Sequence, residues 1–163
     1  MNPAELLARV DEVEPRLAGL AASAPPARLT DPDERTGERW EWGQAWAHIG
    51  EFVPYWIRQV RRVLADPSPE PPPFGRVQTD SSRVEAIERD RHEPAGRIFA
   101  RLSGPMVDLR ALISEMTPAE WAREVRHSTL GDMAMPRVFE LFLVGHLESH
   151  ADQLEGLLRP AEG

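Results

Sequence analysis

An all-α fold, with four main helices and one long proline-rich connection, is what three features of this sequence predict. Apolar residues recur at intervals of three and four through four long stretches. No stretch alternates apolar with polar residues, and none carries the turn dipeptides of a hairpin. Prolines and glycines cluster between the periodic stretches, where helices should stop. With 163 residues, 41% hydrophobic and 28% charged, the chain reads as a single domain over 1–163, long enough to bury a core.

The first helix starts at Asn2-Pro3, an N-cap followed by proline at the first helical position. Leu6, Leu7, Val10, Val13, Leu17 and Leu20 give it helical periodicity, Pro15 should kink or divide it, and it should end by Ser23–Pro26. A polar loop runs to Arg39. Trp42 opens the second helix, with Trp40 bracing the approach and Trp42, Trp46, Ile49, Val53, Trp56, Val60 and Leu64 on one stripe. These tryptophans read as core packing, and Pro54 should bend the helix locally. D-P-S-P-E-P-P-P-F-G, from Asp66 to Gly75, can be neither helix nor central strand and reads as a stiff crossover.

A third helix is predicted from Asp80, with Val84, Ile87, Ile98, Leu102, Val107, Leu109, Leu112, Ile113 and Met116 as its apolar positions. Pro94 and Gly104-Pro105 should break it into two or more segments, while Arg83, Arg89, Arg91, Arg97 and Arg101 make a solvated face. Thr117-Pro118-Ala119-Glu120 is a capping box for a short helix carrying Trp121. H-S-T-L-G, from His127 to Gly131, is predicted as a loop. Met135-Pro136 then leads into the last helix, which should run to about Leu158 and stop at Arg159-Pro160. Leu141 and Val144 fall on its outer side, where exposure would suit a homodimer contact.

Composition narrows the function. A net charge of −8, from 19 basic and 27 acidic residues, argues against a general nucleic-acid binder. All the basic residues are arginine. No cysteine is present, so disulfides, thiolate ligands and a cysteine nucleophile are excluded, and any metal must use nitrogen or oxygen donors. M-N-P-A-E-L-L lacks the regions of a signal peptide and no stretch is apolar enough to span a bilayer, which predicts a cytoplasmic protein with no membrane partner.

The chemistry-bearing residues are histidines. His146 and His150 stand four apart, one turn apart on one face, on the side that also carries Phe139, Phe142 and Leu157. Polar rings on such a stripe need a partner, either a metal ion or protein groups. A catalytic metal site has three protein ligands and an open position, and His48 on the second helix is the best candidate for the third. Gln153, a turn beyond His150, could orient a ligating ring or a bound water. Glu51, a turn from His48, could do the same or act as a base; its simpler reading is a surface carboxylate. His127 could reach the open face of a metal or cap its turn, and turn-capping is the commoner role.

W-E-W-G-Q-A-W-A-H-I-G-E-F around His48, L-S-G-P-M-V-D-L-R-A-L-I-S-E-M-T-P-A-E-W before the loop, H-S-T-L-G in it and L-V-G-H-L-E-S-H-A-D-Q-L after it follow one another in order. From Trp40 to Leu158 this resembles the DinB/YfiT-like superfamily of damage-inducible proteins. The resemblance implies an up-down-down-up four-helix bundle, commonly a homodimer, holding a divalent metal, zinc or nickel, on His48, His146 and His150. It also implies a low-molecular-weight thiol cosubstrate (mycothiol, bacillithiol or glutathione) with S-transferase or maleylpyruvate isomerase activity, the metal activating the thiol. The alternative is a non-enzymatic stress-response or ligand-binding bundle with a structural metal or none. The chain departs from the pattern in its proline-rich crossover and interrupted third helix, which shape the mouth of the bundle, so a substrate does not carry over.

Overall fold

The computed structural model describes residues 2–33 and 37–159. Helix α1 (Pro3–Ala21) is capped by the Asn2 side chain, which accepts from the Glu5 N–H at 2.8 Å. Its stripe of Leu6, Val10, Val13, Leu17 and Leu20 is buried. Pro15 does not divide the helix. It removes one backbone bond, but Val13 and Leu17 on either side pack into the core and hold the helix together. Helix α2 (Trp42–Ala65) starts at a capping box between Glu41 and Gln44, and runs through Pro54. Trp40, Trp42, Trp46 and Trp56 are all buried along its stripe, as core packing requires.

The third helix is three segments: α3 (Ser81–Asp90), capped by Asp80, α4 (Ala95–Arg101) and α5 (Ser103–Glu115). Each break resets the helical phase, so a stripe counted through one continuous helix fails in places. Val84 and Val107, predicted as core positions, are 45% and 66% exposed. Ile87, Ile98, Leu102, Leu109, Leu112 and Ile113 are buried as predicted. Thr117 and Glu120 form the predicted capping box on α6 (Pro118–Trp121).

The all-α prediction is corrected by a small sheet. β1 (Pro73–Phe74), β2 (Glu124–His127) and β3 (Gly131–Ala134) lie in that order. β1 pairs parallel with β2, Phe74 beside His127, and β2 pairs antiparallel with β3, His127 beside Gly131. His127 and Gly131, predicted as loop, therefore end the two strands of a hairpin. Glu124-Val125-Arg126-His127 does alternate, with Val125 and His127 turned inward. Four residues were too few for the pattern to stand out. At the hairpin's far end Gly131 takes φ +75°, a conformation that glycine adopts without cost.

The last helix is α7 (Met135–Val138), a π turn (Phe139–Leu143) and α8 (Val144–Leu158). The Val144 N–H reaches back five residues to the Phe139 carbonyl, which adds one residue to the turn and shifts the phase of everything after it. That shift overturns the predicted outer face. Val144 is fully buried and Leu141 is half-buried against the core, so the exposed pair predicted there is not formed. Pro160, predicted as a helix stop, lies outside the described residues. Helix α1 packs between α8 and α4–α5, and α2 packs between α3–α5 and α8, giving a four-helix bundle. Arg9 on α1 bonds Glu140 and Glu148 of the last helix, and Arg110 on α5 bonds Asp11 and Glu14 of α1. Among the described residues, no helix is long and apolar enough to cross a membrane.

Candidate metal centre

Helices α2 and α8 bring three imidazoles together. His48 Nε2 stands 3.1 Å from His146 Nε2, and His150 Nε2 stands 3.3 Å from the same atom. All three donor atoms lie within 4.8 Å of one another. His48 and His150 are buried and His146 is half-buried. The π turn just before α8 helps set this arrangement. Without its extra residue, His146 and His150 would be rotated away relative to α7 and the hairpin.

The other ring nitrogens fix the tautomers. Glu51 Oε1 accepts from His48 Nδ1 at 2.8 Å, and Gln153 Oε1 accepts from His150 Nδ1 at 2.8 Å. With Nδ1 protonated, the neutral rings turn bare Nε2 lone pairs toward the shared centre. Lone pairs at this spacing repel one another unless a cation or a proton lies between them. Nitrogens about 2.0–2.1 Å from a tetrahedral zinc ion stand about 3.3 Å apart, so both the separation and the donor chemistry fit a divalent metal. The shell beyond the ligands is built as well: carboxylate and amide oxygens orienting ligating histidines are the usual support for such a site.

Glu51 corrects the surface-carboxylate reading. Its side chain is 7% exposed, and its second oxygen accepts from the Arg76 guanidinium. Burial pushes the Glu51 carboxyl up, and the Arg76 hydrogen bond opposes that shift. Arg76 was not singled out in the sequence; it follows β1 and Gly75, and lies 3.8 Å over the Tyr55 ring. Arg83, predicted on a solvated face, turns inward instead and pairs with Glu38 at 3.3 Å.

Beside the three rings opens a cavity of about 450 Å³, lined by all three histidines, Gln153, Trp40 and His127, among others. His127 takes the turn-capping role, and its ring also lines the cavity. Its Nδ1 accepts from the Thr129 N–H at 3.3 Å and the Leu130 N–H at 3.4 Å, capping the turn, while the ring lines the cavity and stacks on Phe142. Phe52 and Trp40 close around the centre, with ring centroids 4.5 Å from His146 and 5.1 Å from His48 respectively. Arg126 pairs with Asp132 on the surface.

Burial holds the His48 ring well below its usual pKa, helped by the neighbouring histidines and by Arg83 and Arg76. Burial also lowers His150 to about 4, with the Gln153 bond opposing. Both rings are therefore neutral, as ligands must be, at pH 7. The sign of the linkage follows. Between about pH 6.5 and 4 the unfolded chain binds more protons than the folded one, so stability is full above 6.5 and falls as pH drops through that window. His150 alone contributes roughly 3 kcal/mol across it. Urea unfolding of metal-free protein is expected to show a clearly lower midpoint near pH 5 than near pH 7.5. Equal midpoints would contradict the burial of these rings.

No family model matches this chain, and neither does any curated protein. Among solved structures, YfiT from Bacillus subtilis matches with a TM-score of 0.75 over 95% of this chain and 85% of that one, at 15% sequence identity. That protein is described as a probable metal-dependent hydrolase with an unusual four-helix bundle topology. At this identity the likeness speaks for architecture alone, and architecture is enough for one statement: the chain has the DinB/YfiT-like four-helix-bundle fold.

Proposed function

We propose that His48, His146 and His150 hold one divalent cation, zinc or nickel, and that the protein is a metal-dependent enzyme acting on small molecules. The observation that carries this reading is the convergence of three Nε2 atoms, two with their opposite nitrogens anchored, at the wall of an open cavity. A cation held by three neutral imidazoles supplies Lewis-acid activation, making a thiol or water that joins it nucleophilic near neutral pH.

The residues of the chain divide the remaining work. Glu51 and Gln153 keep the His48 and His150 rings in the ligating tautomer and orientation. Arg76 holds Glu51 in place. Trp40 and Phe52 keep bulk water away from the rings, strengthening every electrostatic contact there. His127 offers its ring to whatever occupies the cavity, and the turn that it caps fixes its position. With no cysteine in the chain, a sulfur nucleophile must enter as a cosubstrate. The resemblance to the DinB/YfiT-like superfamily makes S-transfer or isomerisation with a low-molecular-weight thiol of the mycothiol or bacillithiol type the preferred reaction. Hydrolysis, with water in the same place, is the second reading, favoured by the likeness to YfiT. The packing of α1 against α8 and of α2 against the third helix suits an up-down-down-up order.

Zinc-loaded and nickel-loaded protein, purified without a histidine tag, tests this against a panel of electrophiles and esters. Thiol consumption that needs both metal and thiol supports the transferase reading. Ester cleavage that needs metal but no thiol moves the assignment to hydrolysis. Turnover unaffected by a chelator would sink both.

A further inference from the structure

One wall of the cavity beside the histidines is aromatic. His127 stacks on Phe142 with ring centroids 5.3 Å apart and planes 19° apart, and Trp56 lies 4.4 Å from Phe142. Among the exposed lining residues, Val77 and Leu130, at 40% and 45%, are apolar and stand beside the polar Gln78, Thr79 and Thr129. Two arginines reach the cavity. Arg83 is engaged, donating to the Gln78 carbonyl at 2.8 Å and pairing with Glu38.

Arg76 is different. Its side chain is only 8% exposed, and one Nη is committed to Glu51, yet its buried Nε–H meets no acceptor. A buried N–H of a charged group left without an acceptor forfeits its hydration with nothing in return, and native structures contain few of them. Arg76 lines the cavity, and a small shift of its side chain toward a ligand would give this orphaned donor an acceptor oxygen. Of the two acids that line the same cavity, Glu38 is held by Arg83, and Asp33 belongs to the loop before α2.

We propose that this cavity takes an aromatic compound bearing an acceptor oxygen, a carboxylate or a carbonyl. The ring lies along the Trp56–Phe142–His127 wall, and the oxygen accepts from the Arg76 Nε–H. This names the substrate class for the metal-dependent reading above and rests on that reading only in taking the cavity as the substrate site. A volume of about 450 Å³ is within the usual range for small-molecule sites. An aliphatic acid would meet Arg76 but forgo the stacking surface, and a ring without an acceptor would leave the Nε–H as it is.

The test is a titration with benzoate and with acetophenone, followed by quenching of tryptophan fluorescence and by calorimetry, on chelator-treated and on zinc-loaded protein. Trp40 and Trp56 line the cavity and report on its occupancy. Saturable binding of at least one of the two is expected without metal, and which binds more tightly separates carboxylate from carbonyl. Cyclohexanecarboxylate and ethylbenzene should each bind about tenfold more weakly than the better of the two, as should that ligand to the Arg76→Lys variant, which keeps a cation beside Glu51 but lacks the Nε–H. Equal affinity for the ring and its saturated or acceptor-free counterpart overturns the proposal, as does no saturable binding to metal-free protein. Should Arg76→Lys fail to fold, the ligand series on the unaltered chain decides alone. Ligand binding in a protein that takes up no zinc would sink the metal centre and leave this site standing. One zinc per chain without ligand binding would do the reverse.

Discussion

Replacing His146 and His150 together with alanine is expected to take the protein from one divalent ion per chain to almost none while leaving it folded. Two of three donors are removed, and His48 alone cannot hold an ion against buffer. The fold should survive because the core around the site is supplied by others: Phe52, Phe139, Leu143, Leu147 and Leu154 are fully buried without either histidine. The variant also sheds two rings whose burial and mutual crowding oppose folding when no metal is present. A metal that binds only the folded chain stabilises it in proportion to the logarithm of its concentration over its dissociation constant. Zinc should therefore raise the melting temperature of the unaltered protein by several degrees and leave that of the double variant where it was. Metal analysis and thermal melts with and without zinc check this together. A double variant that still carries one ion per chain would place the site elsewhere.

Gly145→Ala is the second large effect, because the π turn brings the backbone back against this position. A methyl group there would stand 2.3 Å from the Glu140 carbonyl oxygen and 2.9 Å from its carboxylate. The carboxylate can swing aside, but the carbonyl belongs to the turn itself. Relief requires the turn to move, at a cost of about 1–3 kcal/mol or more. His146 is the next residue, so the displacement reaches the ligand directly. Gly43→Ala is the natural comparison. Its added methyl would stand 1.9 Å from the Arg91 carbonyl oxygen, where α2 meets the end of α3, and Gly43 lines no part of the cavity. Both variants should lower the urea midpoint. Only Gly145→Ala should also weaken zinc binding beyond what its lost stability explains. Equal zinc affinity in the two would mean that the π turn does not position the centre.

What the sequence disclosed follows from the length over which each pattern repeats. The apolar stripes of α1 and α2 repeat over many turns, so Leu6 to Leu20 and Trp42 to Val60 were legible as core. The pair His146 and His150 was legible because four-residue spacing on an apolar face is itself a structural statement. Val84 and Val107 were misplaced since the third helix breaks twice and loses its phase at each break. Strands of two and four residues carry too few alternations to be seen. The π turn leaves no mark in composition, and with it went Val144, predicted outward and found in the core. Glu51 looked like a surface acid because its partner Arg76 arrives from a crossover that helical spacing says nothing about.

The two helices that carry the ligands have a kinetic meaning. His48 and His146 are 98 residues apart in the chain, and their rings meet only after α2 and α8 have docked across the bundle. An ion bridging them cannot act early in folding, when so long a loop is still open. It would act on the finished molecule, where it would have to be released before α2 and α8 could part. Interactions absent from the folding transition state slow escape from the native state and leave the speed of reaching it unchanged. A metal held there would act as a latch, and the lifetime of the folded protein would come to depend on how fast the ion leaves.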